Sequence, residues 1–319
     1  MKIPKKIKLA QIPTPLERIE FAGQKFLIKR DDLTGCELSG NKVRKLEYII
    51  QDAKRSKADV IFTCGGDQSN HCRATIIAAK KIGLNSKLFL WGKERKNING
   101  NHFLFKMYGA DVKYLTKKEY DKVNEIMQDE RFALLKKKKN AFVLPEGGST
   151  TLGIWGYVDF INELKTQIDL RSIDSIVAAC GSGGTAAGML VGAALNNLKL
   201  KIVAVNVLYK KEEIRKKILQ LAEGCILDYR LDCKIDPENL FILDGYSSEG
   251  YKNITASKLK LIKSFAKETG ILLDPAYTGK AFFAYHKKFL RKNLGIKSIF
   301  VHTGGLFGVF GRTKEYLSA

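Results

Sequence analysis

Two lysines three residues apart, Lys42 and Lys45, follow the tripeptide Ser39-Gly40-Asn41. With Ser39 as N-cap, the spacing places Lys42 in the first turn of a helix, where the macrodipole disfavours a cation. Lys45 shares that helix face, and a like charge nearby lowers an amine's pKa. Both effects push Lys42 toward the neutral amine that Schiff-base chemistry requires. In a chain this rich in lysine the ordinary reading is a solvated charge, and spacing alone leaves both readings open.

Glycine-rich turns offer complementary chemistry. Cys180-Gly-Ser-Gly-Gly-Thr185 follows an apolar run and opens a helix of small residues. Backbone N–H groups at such a helix start bind an anion, and Ser182 and Thr185 add hydroxyl donors. The alternative is a tight turn that needs glycine only for its backbone angles. The stretch lacks the Gly-Lys-Ser/Thr of a nucleotide P-loop. It fits G-x-G-x-x-A through Gly181, Gly183 and Ala186, but the next strand region, AVNVLYKK, has no carboxylate before Glu212, which argues against a dinucleotide. A second turn, Thr63 to His71, carries Ser69, Asn70 and His71 at a helix start. They suit either a cap or the binding of a carboxylate. Further turns run from Val301 to Leu306 and from Leu273 to Ala281.

These turns need strands and helices to hold them. Short apolar runs alternate with helical patterns: strands at 58–63, 86–91, 111–115, 141–145, 172–180, 201–208 and 297–302, with helices between most of them. This alternation predicts a parallel α/β architecture with helices on both faces of the sheet. Active sites in such folds lie at the carboxyl ends of strands. No linker separates two halves, so two lobes would interleave.

The 319 residues, 45% hydrophobic and 28% charged, suffice for one large domain or two smaller ones. A net charge of +22 would suit nucleic acid. The basic runs lack interleaved aromatics, however, so solvated lysines are the expected reading and no nucleic-acid partner is anticipated. Six scattered cysteines form no Cys-x-x-Cys pair and no metal spacing, and read as reduced thiols of a cytoplasmic protein. No secretory leader or membrane span is expected.

Six stretches in order, SGNKVRKLEY, GGDQSNHCRAT, EGGSTTLGIWGY, CGSGGTAAG, LDPAYTGKA and VHTGG, resemble the motifs of one family. It is the 1-aminocyclopropane-1-carboxylate deaminase/D-cysteine desulfhydrase family, pyridoxal-phosphate enzymes similar to the tryptophan synthase β chain. The resemblance implies the fold-type II architecture of two interleaved α/β lobes with parallel-rich sheets. Residues 1–46 and 157–319 would form the large cofactor-binding lobe and 47–156 the smaller one. It implies that Lys42 carries pyridoxal 5'-phosphate covalently, with Gly40 and Asn41 shaping the turn. Asn70 would meet the pyridine 3′-oxygen, and Ser69 and His71 the substrate carboxylate. Gly181, Ser182, Gly183, Gly184 and Thr185 would bind the phosphate with Lys45.

Two tyrosines would face the substrate: Tyr277, and either Tyr251 or Tyr246. Ring-opening members carry Glu where this chain has Thr278; Thr278 and Thr303 are the candidate partners of the pyridine nitrogen. A hydroxyl there favours elimination of a good leaving group, so the expected reaction is D-cysteine to pyruvate, sulfide and ammonia. Deamination of 1-aminocyclopropane-1-carboxylate and L-cysteate sulfo-lyase activity are the alternatives. A pyridoxal-phosphate-binding regulatory or nucleic-acid-binding protein is the alternative of a different class. Asp67, Ile154 and Trp155 depart from the pattern and are expected near the substrate pocket. The resemblance also implies a homodimer acting on a small amino acid.

Overall fold

The computed structural model describes residues 2–251 and 253–318. Among these described residues ten strands form two sheets: β1 (Leu16–Phe21), β2 (Gln24–Lys29), β3 (Val60–Gly66), β4 (Asn85–Trp91), β5 (Asp111–Leu115), β6 (Ala141–Leu144), β7 (Ser175–Cys180), β8 (Lys201–Asn206), β9 (Leu240–Leu243) and β10 (Ser298–Val301). The larger sheet has the order β1-β2-β10-β7-β8-β9, the smaller β5-β4-β3-β6. Every pairing is parallel except the β1–β2 hairpin.

The central strands of the larger sheet are buried on both faces, as a helix-covered parallel sheet requires. Side chains alternate with the pleat. Ile176, Ala178, Ile202, Ala204, Ile299 and Val301 face one apolar core. Val177, Ala179, Val203, Val205 and Phe300 face the other. This explains why these strands read as continuous apolar runs.

The expected strands are present to within a few residues. The sequence reading did not include the β1–β2 hairpin or β9. LERIEF is half polar, and QKFLIK ends in Lys29, a buried ion-pair partner that a hydropathy pattern counts as surface. The lobe boundaries expected at 46/47 and 156/157 fall inside the continuous helices Asn41–Arg55 and Trp155–Lys165.

Close helix packing connects the lysine segment to the glycine loop. A Cβ on Gly156 would collide with the Arg44 backbone, and one on Gly188 with the carbonyl of Ile154. The Trp155–Lys165 helix is thereby set against both the Asn41–Arg55 and Gly184–Leu195 helices. That contact accounts for the small residues of GTAAGMLVGAAL. Ile154 and Trp155 belong to this core and not to the substrate pocket: Ile154 is fully buried, and the Trp155 ring packs against Tyr48 and Tyr229.

Candidate active site

Carboxyl ends of strands from both sheets converge on one cavity. β3 leads to Ser69-Asn70-His71, β6 to Glu146-Gly147, β7 to the Cys180–Thr185 loop and β10 to Thr303-Gly304. Lys42, Lys45 and Tyr277 also line it.

The Asn41–Arg55 helix begins one residue later than a Ser39 cap would place it. Gly40 is its N-cap, at φ 91°, and the Thr34 hydroxyl accepts from the Gly40 N–H at 2.8 Å. A Cβ at Gly40 would lie 2.9 Å from the Thr303 carbonyl, which accepts from the Asn41 N–H at 3.0 Å. Ser39 instead gives its carbonyl to Arg73 at 3.0 Å. Lys42 still falls in the first turn, its Nζ 3.1 Å from Asn41 Oδ1. Burial brings its pKa down to about 8, against the opposing pull of Glu146, Cys180 and Asp274. The shift is toward the neutral amine expected from the sequence, and it comes chiefly from desolvation.

Lys45 is 1% exposed and donates to the Gly147 carbonyl at 3.2 Å and the Ser149 hydroxyl at 3.3 Å. Burial, then the charge of Lys42, drives its pKa well below the ordinary lysine value. A buried amine served only by a carbonyl and a hydroxyl is poised for an anion. Gly183, in the left-handed region at φ 88°, caps the Gly184–Leu195 helix and turns its first N–H groups to the same place. A Cβ on Gly184 would sit 2.6 Å from both Lys45 Nζ and Ser149 Oγ, so only bare backbone fits there. Ser149 bridges to Ser182 Oγ at 2.8 Å and accepts from the Gly184 N–H at 3.2 Å. Asn41 Nδ2 donates to Thr185 Oγ1 at 3.1 Å, tying the lysine turn to the glycine loop. This donor set fits a phosphate group.

The β3 turn supplies a different set. Ser69 Oγ caps the Asn70–Lys80 helix by accepting from Cys72 N at 3.2 Å. Asn70 Oδ1 accepts from Asn101 Nδ2 at 2.9 Å, which leaves the Asn70 amide N–H groups to donate. Asn101 is itself held by Gln68. His71 Nε2 lies 2.8 Å from Thr63 Oγ1, and its buried Nδ1 has no hydrogen-bond partner. Burial, with Lys42 and Lys45 nearby, holds the ring well below the usual histidine pKa and keeps it neutral.

Tyr277 lines the cavity and Tyr251 the wider cleft outside it, their rings edge to face at 5.5 Å. Tyr246, the other candidate, packs with the second core and near Phe283. Asp274 aims Tyr277: its carboxylate accepts from the N–H groups of Ala276, Tyr277 and Thr278 at 2.7–3.0 Å. It also takes the Thr278 hydroxyl, at 2.7 Å. Thr278 is fully buried and does not line the cavity, which corrects its placement at the pyridine nitrogen; Thr303 does line it. Asp67 pairs with Arg95 at 2.5 Å, beside the wider cleft.

Sequence reasoning had not singled out Thr63, Asn101, Glu146 and Ser149. Glu146 and Ser149 stand within the quoted EGGSTTLGIWGY, where their strand-end position was the available signal. Asn101 lies a whole strand and loop away from Asn70, and no local pattern points to it. Among the described residues no group of three or more His, Cys, Asp or Glu side chains is placed to hold a metal ion.

The model of the family described as pyridoxal-phosphate dependent enzyme matches residues 7–304. A putative 1-aminocyclopropane-1-carboxylate deaminase of Thermotoga maritima is 37% identical over 97% of this chain and 99% of its own. The bifunctional D-cysteine desulfhydrase/1-aminocyclopropane-1-carboxylate deaminase, mitochondrial, of Arabidopsis thaliana is 36% identical, covering 97% of this chain and 80% of its own. The crystal structure of an ACC deaminase homologue superposes with a TM-score of 0.89 at 34% identity, over 99% of this chain and 96% of the other. The lysine turn, the anion cradle and these matches together place the chain in the 1-aminocyclopropane-1-carboxylate deaminase/D-cysteine desulfhydrase family of pyridoxal-phosphate dependent enzymes.

Proposed function

We propose that the chain is a lyase that removes the β-substituent of a small amino acid, with D-cysteine and water giving pyruvate, hydrogen sulfide and ammonia. One observation carries this reading: the Lys42 amine, its pKa lowered by burial, and Tyr277 line the same cavity, with the Tyr251 ring edge to face against Tyr277 in the adjoining cleft. An elimination needs both a base for the α-proton and a proton donor for the leaving group.

Pyridoxal phosphate, when bound, supplies the sink for the electron pair left at the α-carbon. Lys42 would hold the cofactor, and its Nζ would take the α-proton. Lys45, Ser149, Ser182 and the 183–185 backbone hold the phosphate, with Thr185 set in place by Asn41. Asn70 donates its amide N–H to the 3′-oxygen. Ser69 and His71 hold the substrate carboxylate; Thr63, whose hydroxyl donates to the Leu144 carbonyl at 2.9 Å, positions the ring through Nε2.

Thr303 faces the pyridine nitrogen. Tyr251 or Tyr277 protonates the departing sulfur. Burial raises both phenols, and their mutual contact lowers Tyr251 while raising Tyr277, which favours Tyr251 as the donor. A hydroxyl at the pyridine nitrogen, that of Thr303, supports elimination of a good leaving group over ring opening. No helix among the described residues is long and apolar enough to cross a membrane. A cytoplasmic homodimer completes the reading, on the strength of the family resemblance and the free cysteines.

The pKa of Lys42 gives a first expected result. Apoprotein mixed with pyridoxal phosphate acquires the cofactor at a rate that rises with pH, because only the neutral amine attacks the aldehyde. The midpoint falls near 8, against 10.5 for an ordinary lysine. Stopped-flow absorbance across pH 6–11 measures it, and a midpoint above 10 would contradict the burial argument.

Release of sulfide and keto acid tests the activity. D-Cysteine should yield both in equal amounts, with L-cysteine, L-cysteate and 1-aminocyclopropane-1-carboxylate turned over at least about 10-fold more slowly. Keto acid from the cyclopropane substrate without sulfide from D-cysteine would overturn the proposal.

A further inference from the structure

Glu146 has no part in the mechanism above, yet it stands at the junction of the inner cavity and the wider cleft. It lines the first with Lys42 and Tyr277 and the second with Tyr120 and Tyr251. Its place is enforced by the backbone. Gly147 and Gly148 follow it at φ 71° and 59°, and a Cβ on Gly147 would collide with Ser182 Oγ. The turn is pressed against the anion cradle, and the side chain before it is held at the mouth.

The surroundings leave this carboxyl without a compensating cation. Glu146 is in no ion pair among the described residues. Its cationic neighbours are Lys42 and Lys217. Lys217 is engaged elsewhere, 3.0 Å from Glu213 and stacked 3.7 Å above the Tyr209 ring. Lys42 would be taken up in holding the cofactor. The buried hydroxyl of Tyr120 stands beside Glu146 in the same cleft and, against burial, pulls its pKa down by hydrogen bonding, but it cannot supply charge.

We propose that Glu146 sets the charge of the β-substituent the site accepts, admitting neutral or protonated groups and refusing sulfonates and phosphates. The proposal rests on the lyase reading for where the substrate lies. With the α-carbon at Lys42 and the carboxylate at Ser69 and His71, the β-substituent points toward the mouth. Burial raises the Glu146 pKa above its ordinary value, so above that shifted pKa the carboxylate repels a like-charged competitor. A carboxyl at the mouth attracts a β-ammonium and is indifferent to a thiol or chloride.

The test uses the holoenzyme, its E146Q and E146D variants, and two readouts. The first is binding, read from the change in cofactor absorbance on titration with D- and L-2,3-diaminopropionate and with D- and L-cysteate. Wild type and E146D should bind the β-ammonium compounds at least about 10-fold more tightly than the β-sulfonates. In E146Q that ratio should fall about 10-fold. The second is turnover of β-chloro-D-alanine and β-chloro-L-alanine, which carry no charge at the β-position.

Turnover of neither chloroalanine by wild type would sink the lyase reading while the binding ratio still judged Glu146. Turnover with a binding ratio unchanged in E146Q would sink the Glu146 proposal alone. Should E146Q fail to fold, a wild-type ratio at or below one overturns the proposal by itself.

Discussion

Lys42→Ala leaves a folded protein with no covalently held cofactor and turnover lowered by at least about 10³-fold. A positioned general base contributes on the order of 10²–10⁴ in rate, and this residue also carries the cofactor. Compensation by the neighbouring amine is ruled out by geometry. Lys45 Nζ is held by Gly147 and Ser149 in the wall of the anion cradle, at the phosphate end of the site. Folding should survive because among the described residues Lys42 makes one side-chain hydrogen bond, to Asn41, and its burial as a cation is itself unfavourable. Borohydride reduction followed by peptide mass spectrometry reads the result directly. The wild-type peptide containing Lys42 gains the mass of the reduced cofactor, and the variant gains it nowhere. An active variant, or cofactor mass on Lys45, would show that the wrong amine has been assigned. Lys45→Ala makes the contrasting control, retaining the covalent link but binding cofactor more weakly.

The parts of this site legible in the sequence are those that chemistry confines to a short stretch. A strand end followed by glycines and hydroxyls, as in Cys180–Thr185, must form an anion-binding helix start almost wherever it occurs in such a fold. Lys42 was legible for the same reason: its place in the first helical turn is set by residues 40–45. What spacing misjudged was the cause of its lowered pKa, which is burial and not the charge of Lys45. Thr278 shows a similar limit. Its position after Tyr277 is a matter of sequence, but the direction of its hydroxyl is decided by Asp274, which needs it to complete the turn. Tyr251 and Tyr246 each follow a glycine, and only the packing of Tyr246 against the helix carrying Phe283 separates them. Trp155 was misplaced because a motif locates a residue along the chain and not on the face of a helix.

The least legible feature is the one beneath the lysine turn. Arg44, two residues from Lys42, is 2% exposed and bonds Asp31 through Nε at 2.9 Å and Nη2 at 2.8 Å. It also reaches Glu163 through Nη1 at 2.8 Å and Nη2 at 3.0 Å. Lys29 meets Glu163 at 2.5 Å, and Tyr157 donates to Asp31 at 2.6 Å. These residues come from β2, the turn after it and two helices, so no local pattern reveals them. Together they fix the helix that presents Lys42.

Replacing Arg44 with alanine should destabilise the fold by about 3–5 kcal/mol, because two carboxylates remain buried without their principal partner. Arg44→Met, which restores volume without charge, should fare no better, separating electrostatics from packing.

The pH dependence gives the sharper check. In the intact protein, Arg44 and its neighbours hold Asp31 and Glu163 below their ordinary values of 3.8 and 4.5, against burial. A depressed folded pKa means stability that is present in full above those values and lost as the pH falls through the folded ones. Without Arg44, burial acts on Asp31 with less opposition, so protonation relieves the variant. The difference in urea midpoint between wild type and Arg44→Ala should therefore be largest near pH 7 and shrink toward pH 3. A difference independent of pH would mean that Arg44 acts through its packing against the Phe160 ring, over which its guanidinium lies at 5.2 Å, and not through its charge.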